Sequence, residues 1–228
     1  MPFPMVHLSI ARGILAANPG RFDPAAFYIG SLAPDSVHFR PDFTAAHKLD
    51  SHLVMDGQKW GEVTNNAAWE NKVLNFFSEN RNLYDPSFLC GYCGHILADI
   101  AWNRRFWMPF RAKNTVDLEH YNGDEMHRDC DEMDVILYHD EMDDIVYHQL
   151  PEREEIWTYL KSAAPVDIPG VVSKSETERM LHSLLYEQFA NREVSPDYEF
   201  HHIDLARVQE FIRDESGTIK DKLLETGV

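Results

Sequence analysis

Gly91-Tyr92-Cys93-Gly94-His95-Ile96-Leu97-Ala98-Asp99-Ile100-Ala101-Trp102 carries two reactive side chains in an otherwise apolar run. On a helix, residues i and i+4 share one face, so the His95 imidazole and the Asp99 carboxylate point the same way. Ile96, Leu97, Ala98, Ile100, Ala101 and Trp102 surround them, which predicts a helix buried on most sides. A buried carboxylate is costly unless it is hydrogen-bonded, ion-paired or bound to a metal. Two readings stay open at this point. One is a His–Asp pair on a single helix face, and the other is a metal site that further segments complete.

Outward from this run, the apolar spacing is mostly helical, with Asn114 to Asp124 left unassigned. Asp85-Pro86-Ser87 caps the helix, which is predicted over Phe88 to about Trp107 and stopped by Pro109. Upstream, Val6, Ile10 and Ile14 mark a first helix that ends at Asn18-Pro19-Gly20. A short helix follows over Pro24 to Tyr28, and Gly30 to Phe43, with Pro34 and Pro41, is predicted as a structured loop. Glu62 to Asn80 reads as a helix with Val63, Ala67, Leu74 and Phe77 turned inward. Downstream, Glu125 to Gln149 is predicted as a long acidic helix stopped by Pro151, and Glu152 to Ala163 as another helix. Ala164 to Ser173 is a Pro- and Gly-bearing loop, and helices over Glu176 to Arg192 and Asp204 to Leu224 close the chain. No segment shows strand alternation or repeats another. The expected class is all-α, one domain over residues 1–228, with 165–228 as a candidate C-terminal helical layer.

Lys and Arg number 21 against 38 Asp and Glu, so the 228-residue chain carries a formal charge of −17. With no basic run to hold a phosphate backbone, that balance argues against a nucleic-acid surface and against docking on anionic lipid. A small substrate, a zwitterionic headgroup or a divalent cation remains open. No apolar stretch reaches the ~20 residues of a membrane span. The apolar start of the chain is split by His7 and Arg12 and lacks a basic n-region, so no signal peptide is expected. Cys90, Cys93 and Cys130 are too few and odd in number for a disulfide framework. Cys90-x-x-Cys93 reads as a pair of buried packing residues. The expectation is a cytoplasmic chain with no stable membrane anchor; nothing in the sequence speaks to its oligomeric state.

Twelve histidines invite a search for partners to His95. His7 lies on the first helix beside Leu8 and Ile10, as a ligand or as a satisfied core residue. Ile29 to His38 is a Gly- and Pro-bearing segment that delivers Asp35 and, three residues on, His38. Asp35 is a candidate metal ligand and proton acceptor, or simply a helix cap. His38 is a candidate acid–base residue or supporting ligand. Lys48-Leu49-Asp50-Ser51-His52 offers His52 as a ligand or a surface histidine. Lys48 could orient Asp35 or contact substrate phosphate, and an ordinary surface lysine is the plainer reading.

In chain order these give His7, Asp35 in a Gly-x-x-x-Pro-Asp loop, Ser51-His52, then Gly91-x-x-x-His95-x-x-x-Asp99. That order resembles the zinc-dependent phospholipase C family, and in particular its short bacterial members. The single-strand-specific nucleases of the S1/P1 type share its helical fold. The resemblance covers roughly Met1 to Trp107. It implies a multi-helix bundle with a metal cluster in a cleft, holding two or three divalent ions, usually zinc, with manganese or iron also tolerated. It implies His7, Asp35, His52, His95 and Asp99 as ligands, and hydrolysis of a phosphoric ester by metal-activated water. Secreted members use a processed N-terminal amine as a further ligand. With His7 six residues after Met1 and no signal-peptide pattern, that ligand is expected to be missing. They also carry another histidine shortly after the His-x-x-x-Asp, whereas here none follows Asp99 before His120.

The acidic helix offers substitutes. Val135, Tyr138, Met142, Ile145 and Val146 define its apolar face, at 100° per residue. His127 and Asp131 project onto that face and Asp134 lies at its edge, so these three are preferred as further ligands to His139 and Asp143. The alternative is a solvated acidic face. The expected activity is that of a zinc-dependent phosphodiesterase or phospholipase C-like hydrolase. Its substrate is a small phosphoester or a phospholipid headgroup, and Asp35 and His38 are the catalytic candidates. A degenerate family member that binds metal or acts as a scaffold is the alternative. An HD-type nucleotide phosphohydrolase built on His139-Asp140 is a thinner one.

Overall fold

A computed structural model of the chain describes residues 4–109, 112, 153–189 and 204–226. Among these residues every regular element is helical, and the class is all-α. Helix α1 spans Pro4–Ala17 and α2 spans Pro24–Gly30; a 3₁₀ helix follows over Ala33–Phe39, then α3 over Ala45–Ser51. Helix α4 covers Asn66–Asn80 and α5 covers Pro86–Trp102, running on into a π turn at Asn103–Trp107. The described C-terminal part holds α6 (Arg153–Ser162), α7 (Lys174–Ser183, with a π turn at Leu184–Gln188) and α8 (Leu205–Glu225).

Helix α5 is the axis of the fold. Every residue from Ser87 to Trp102 is buried, as its mostly apolar sequence predicts. It packs against α1, α2, α4, α8 and the 3₁₀ helix. Its start is fixed by Asp85, whose carboxylate accepts the backbone N–H groups of Ser87 and Phe88, with Pro86 at the first helical position. Asp23 and Asp204 cap α2 and α8 in the same way. Ser173 and Glu176 form a reciprocal capping box on α7.

The α2–α5 crossing is unusually close. A Cβ on Gly91 would lie 2.1 Å from the Phe27 carbonyl oxygen, and one on Gly30 would lie 2.2 Å from that of Phe88. Only glycine at both positions lets the two backbones touch. A similar contact joins α1 to α8, where Gly13 faces Ser216, whose hydroxyl donates to the Ile10 and Ile212 carbonyls.

Several sequence expectations shift. The segment over Gly30 to Phe43 is not a loop, because Ala33–Phe39 winds into a 3₁₀ helix started by Pro34. Helix α4 begins at Asn66, where the Asn65 side chain accepts the Ala68 N–H, and not at Glu62. Its buried face is Trp69, Val73 and Phe77; Leu74 is half-buried and Ala67 faces solvent. Val63 is buried but belongs to the segment before the helix. The short helix α3 was not legible in the apolar spacing. The predicted helix over Glu125 to Gln149 lies outside the described residues.

The α2–α5 contact gives a paired test. Gly91→Ala should destabilise the protein by about 1–3 kcal/mol, since overpacking here meets backbone and not a flexible side chain. Gly94→Ala, on the same helix, would meet only Ile219 and Leu223 at 3.7 and 3.9 Å. It should be neutral or stabilise by up to about 1 kcal/mol, from the lower backbone entropy cost of alanine. Urea midpoints of the two variants check this, and equal midpoints would overturn the steric reading.

Candidate metal centre

The close crossing sets the first donor. With the α2 and α5 backbones in contact, the Ser31 carbonyl just past α2 lies 2.8 Å from Nδ1 of His95. A carbonyl only accepts, so His95 carries its proton on Nδ1 and turns a bare Nε2 inward. Asp99 follows one turn later on the same face, 1% exposed. Helix α1 brings His7, whose ring stacks on His95 at 3.6 Å between centroids and 10° between planes. His7 Nε2 lies 3.5 Å from Asp99 Oδ1.

His52 arrives from the end of α3. The next residue, Leu53, has φ 53°, a left-handed conformation that costs a non-glycine residue roughly 1–2 kcal/mol. That residue terminates the helix, and Val54 N–H closes back on the Leu49 carbonyl at 2.9 Å. The His52 backbone is pinned by the Trp69 indole, which donates to its carbonyl at 2.8 Å. Its Nδ1 lies 3.0 Å from the Lys48 carbonyl and 2.8 Å from the Ser51 hydroxyl. The carbonyl again places the proton on Nδ1 and leaves Nε2 bare. Nε2 lies 3.3 Å from Asp35 Oδ1, 3.4 Å from Asp99 Oδ2 and 3.2 Å from Nε2 of His95.

Asp35 enters from the 3₁₀ helix. Its Oδ1 accepts from Lys48 Nζ at 2.8 Å, and its Oδ2 lies 3.9 Å from His95 Nε2. Burial opposes its ionisation, but the Lys48 ammonium holds the carboxyl well below the usual range. Asp99, deeper and without a lysine in contact, is raised by burial. Burial lowers both His52 and His95 to about 4, so both are neutral at pH 7.

Two overlapping triads result, His7–Asp35–His95 and His52–His95–Asp99, each with one donor atom per residue inside 4.8 Å of the others. Among the described residues neither carboxylate oxygen of Asp99 accepts a hydrogen bond. Two bare imidazole nitrogens face each other at 3.2 Å beside that buried carboxylate. Lone pairs converging in this way are mutually repulsive without a cation between them. Three imidazoles and two carboxylates are a donor set suited to zinc and tolerant of manganese or iron. The residues present therefore fit a divalent metal.

Of the residues singled out in the sequence, His7, Asp35, His52, His95 and Asp99 converge here from four elements. His38 lies at the outer edge, with 44% of its side chain exposed and Nε2 4.0 Å from Asp35 Oδ1. Burial and then the Lys48 ammonium lower it to about 4. His127, Asp131 and Asp134 lie outside the described residues, as do His139, Asp140 and Asp143. Lys48 is no ordinary surface lysine, since its side chain is 14% exposed and touches Asp35, His38 and Trp60. The i, i+4 spacing of Lys48 and His52 was the available signal, hidden because α3 is short. Cys90 and Cys93 are free and buried, and burial pushes the Cys90 thiol up to about 12, as fits packing residues.

Residues 6–102 match the family model of the zinc-dependent phospholipases C. The match ends at the last residue of α5 and spans every donor of the cluster. It supports the family resemblance carried by the five motifs. No curated protein and no solved structure matches the chain. Among the described residues no helix is long and apolar enough to cross a membrane.

The tautomers can be checked directly. In the metal-free protein at pH 7, long-range ¹H–¹⁵N spectra should show His52 and His95 neutral, protonated on Nδ1 and bare on Nε2. Protonation on Nε2, or imidazolium at this pH, would contradict the arrangement.

Proposed function

We propose that the chain is a metal-dependent phosphoric ester hydrolase of the phospholipase C type. His7, Asp35, His52, His95 and Asp99 hold one or two zinc ions. The observation that carries this reading is the convergence of bare Nε2 atoms on a buried carboxylate that accepts no hydrogen bond among the described residues. The match to the zinc-dependent family over the same residues supports it. When bound, a divalent ion supplies the Lewis acidity that makes water nucleophilic near neutral pH and offsets phosphoryl charge.

The chain's own residues do the rest. Ser31 and Lys48 carbonyls fix the tautomers of His95 and His52, which keeps both nitrogens aimed inward. Asp99 supplies a deep, dry anchor. Asp35, held ionised by Lys48, stands between the cluster and the open side and is the proton acceptor nearest that side. His38, the most solvent-exposed of the set, passes protons between the site and bulk water. A degenerate member would keep the anchor residues and bind metal without turnover.

The test pairs metal content with hydrolysis. Protein purified in metal-free buffer should hold at least one tightly bound ion and hydrolyse bis(p-nitrophenyl) phosphate. Chelation should abolish turnover and zinc should restore it. His95→Ala with Asp99→Ala should lose the metal and at least about 10³ in rate, as expected when the Lewis acid goes. Metal held with no turnover on any phosphoester would favour the degenerate reading. Hydrolysis retained in the double variant would sink the enzyme reading built on this cluster.

A further inference from the structure

Lys48 is a built feature of the site that the metal-ligand reading does not use. Its ammonium donates to Asp35 Oδ1 at 2.8 Å and to His38 Nε2 at 3.1 Å, which requires His38 to be neutral there. It also lies over the Trp60 ring, 4.6 Å from the centroid. Trp60 in turn packs edge-on against His52 at 4.7 Å. The lysine stem is thus held between a ligand-bearing helix and an indole, and the charge at its tip is fixed rather than free to wander. An ammonium has three N–H donors. Two are engaged by Asp35 and His38, the ammonium rests on the Trp60 ring, and it lies beside His38, whose side chain is 44% exposed.

We propose, resting on the hydrolase reading above, that Lys48 receives a phosphoryl oxygen of the substrate and sets specificity toward phosphomonoesters over esters of quaternary-ammonium alcohols. Two observations carry this. First, the charges at the cluster do not cancel once a divalent ion is held. The Asp35 and Asp99 carboxylates offset that ion, the imidazoles are neutral, and Lys48 leaves the cluster positive. A positive, partly buried cluster favours the more highly charged anion. Second, a quaternary ammonium is ordinarily received on an aromatic face. The Trp60 face is already covered by the Lys48 ammonium, so a choline group would meet a like charge where it needs a ring. Phe43, an exposed aromatic at this edge, is turned against His38 at 4.6 Å.

The bland alternative is that Lys48 merely neutralises Asp35. Zinc-loaded wild type, Lys48→Met and Lys48→Arg separate the two. Methionine keeps an unbranched apolar stem of similar length and removes the ammonium, and arginine keeps the charge. Zinc per chain, calorimetric binding of inorganic phosphate, and kcat/KM for p-nitrophenyl phosphate and p-nitrophenylphosphorylcholine are measured on each. Zinc content should be unchanged in all three. Lys48→Met should weaken phosphate binding by about tenfold or more, the loss of one hydrogen bond to a charged group, and Lys48→Arg should retain most of it. Wild type should prefer p-nitrophenyl phosphate. Lys48→Met should lose about 10² in kcat/KM on it, in line with removal of one preorganised donor. The loss on the choline ester should be smaller, because the same change removes the repulsion.

Unchanged phosphate affinity in Lys48→Met at equal zinc content would overturn the proposal. So would a wild-type preference for the choline ester, or loss of zinc in Lys48→Met, which would make the lysine a structural counter-charge. If wild type hydrolyses neither of these esters nor bis(p-nitrophenyl) phosphate, the hydrolase reading fails on its own, and the phosphate-binding arm alone decides the role of Lys48.

Discussion

The contact between the backbones of α2 and α5 governs everything placed around it. Gly30 and Gly91 let the two helices meet carbonyl against Cα. Only at that separation does the Ser31 carbonyl reach Nδ1 of His95. That single hydrogen bond decides which nitrogen of His95 is bare and which way it points. Since His95 belongs to both donor triads, a packing constraint between two glycines becomes a chemical constraint on the whole centre. The same logic recurs at His52, where a left-handed Leu53 ends α3 one residue later and a Trp69 indole fixes the backbone. The His95 and His52 imidazoles are both oriented by a carbonyl that the fold has already placed, not by another side chain of the cluster.

Two carboxylates sit in this centre, and their surroundings pull them apart. Asp35 is beside Lys48 and ionises readily. Asp99 is behind the imidazoles, in the most buried stretch of α5, where burial disfavours its charge. Divergent environments for paired titratable groups are how a site assigns different roles to chemically identical side chains. Here the division follows depth. The inner carboxylate faces the imidazoles of His7 and His52 at 3.5 and 3.4 Å, while the outer one is already paired with Lys48.

Much of this is legible in the sequence alone. Helix α5 announced itself through apolar residues on every side and an Asp-Pro-Ser cap, and the i, i+4 spacing put His95 and Asp99 on one face. His7 followed from the first helix, and Asp35 from its Gly-Pro segment. What the sequence hid was short structure. A seven-residue 3₁₀ helix and a seven-residue α3 are too brief for periodicity to emerge. Reading the first as loop left the environment of Asp35 and His38 unspecified, and missing the second disguised Lys48 as a surface residue. Apolar spacing starts α4 four residues early because Val63 is buried without being helical, and spacing cannot tell those apart. The tautomers were invisible for a deeper reason: they depend on carbonyls brought together across 64 residues of sequence for Ser31 and His95.

The arrangement also bears on stability. Three buried imidazoles and two carboxylates are an expensive set to desolvate, and the hydrogen bonds supplied by Ser31, Ser51 and the Lys48 carbonyl satisfy only their outward-facing atoms. The inward-facing lone pairs are left to one another. An apolar core of this size, running from Met5 through Trp69 and Trp102 to Leu223, can carry such a cluster at a cost. A cation binding the assembled donors returns that cost, because it binds the native state and finds no preformed site in the unfolded chain. The geometry that would make the centre reactive is thus the same geometry that would make it depend on an ion. Both follow from donors held too close together to be comfortable alone.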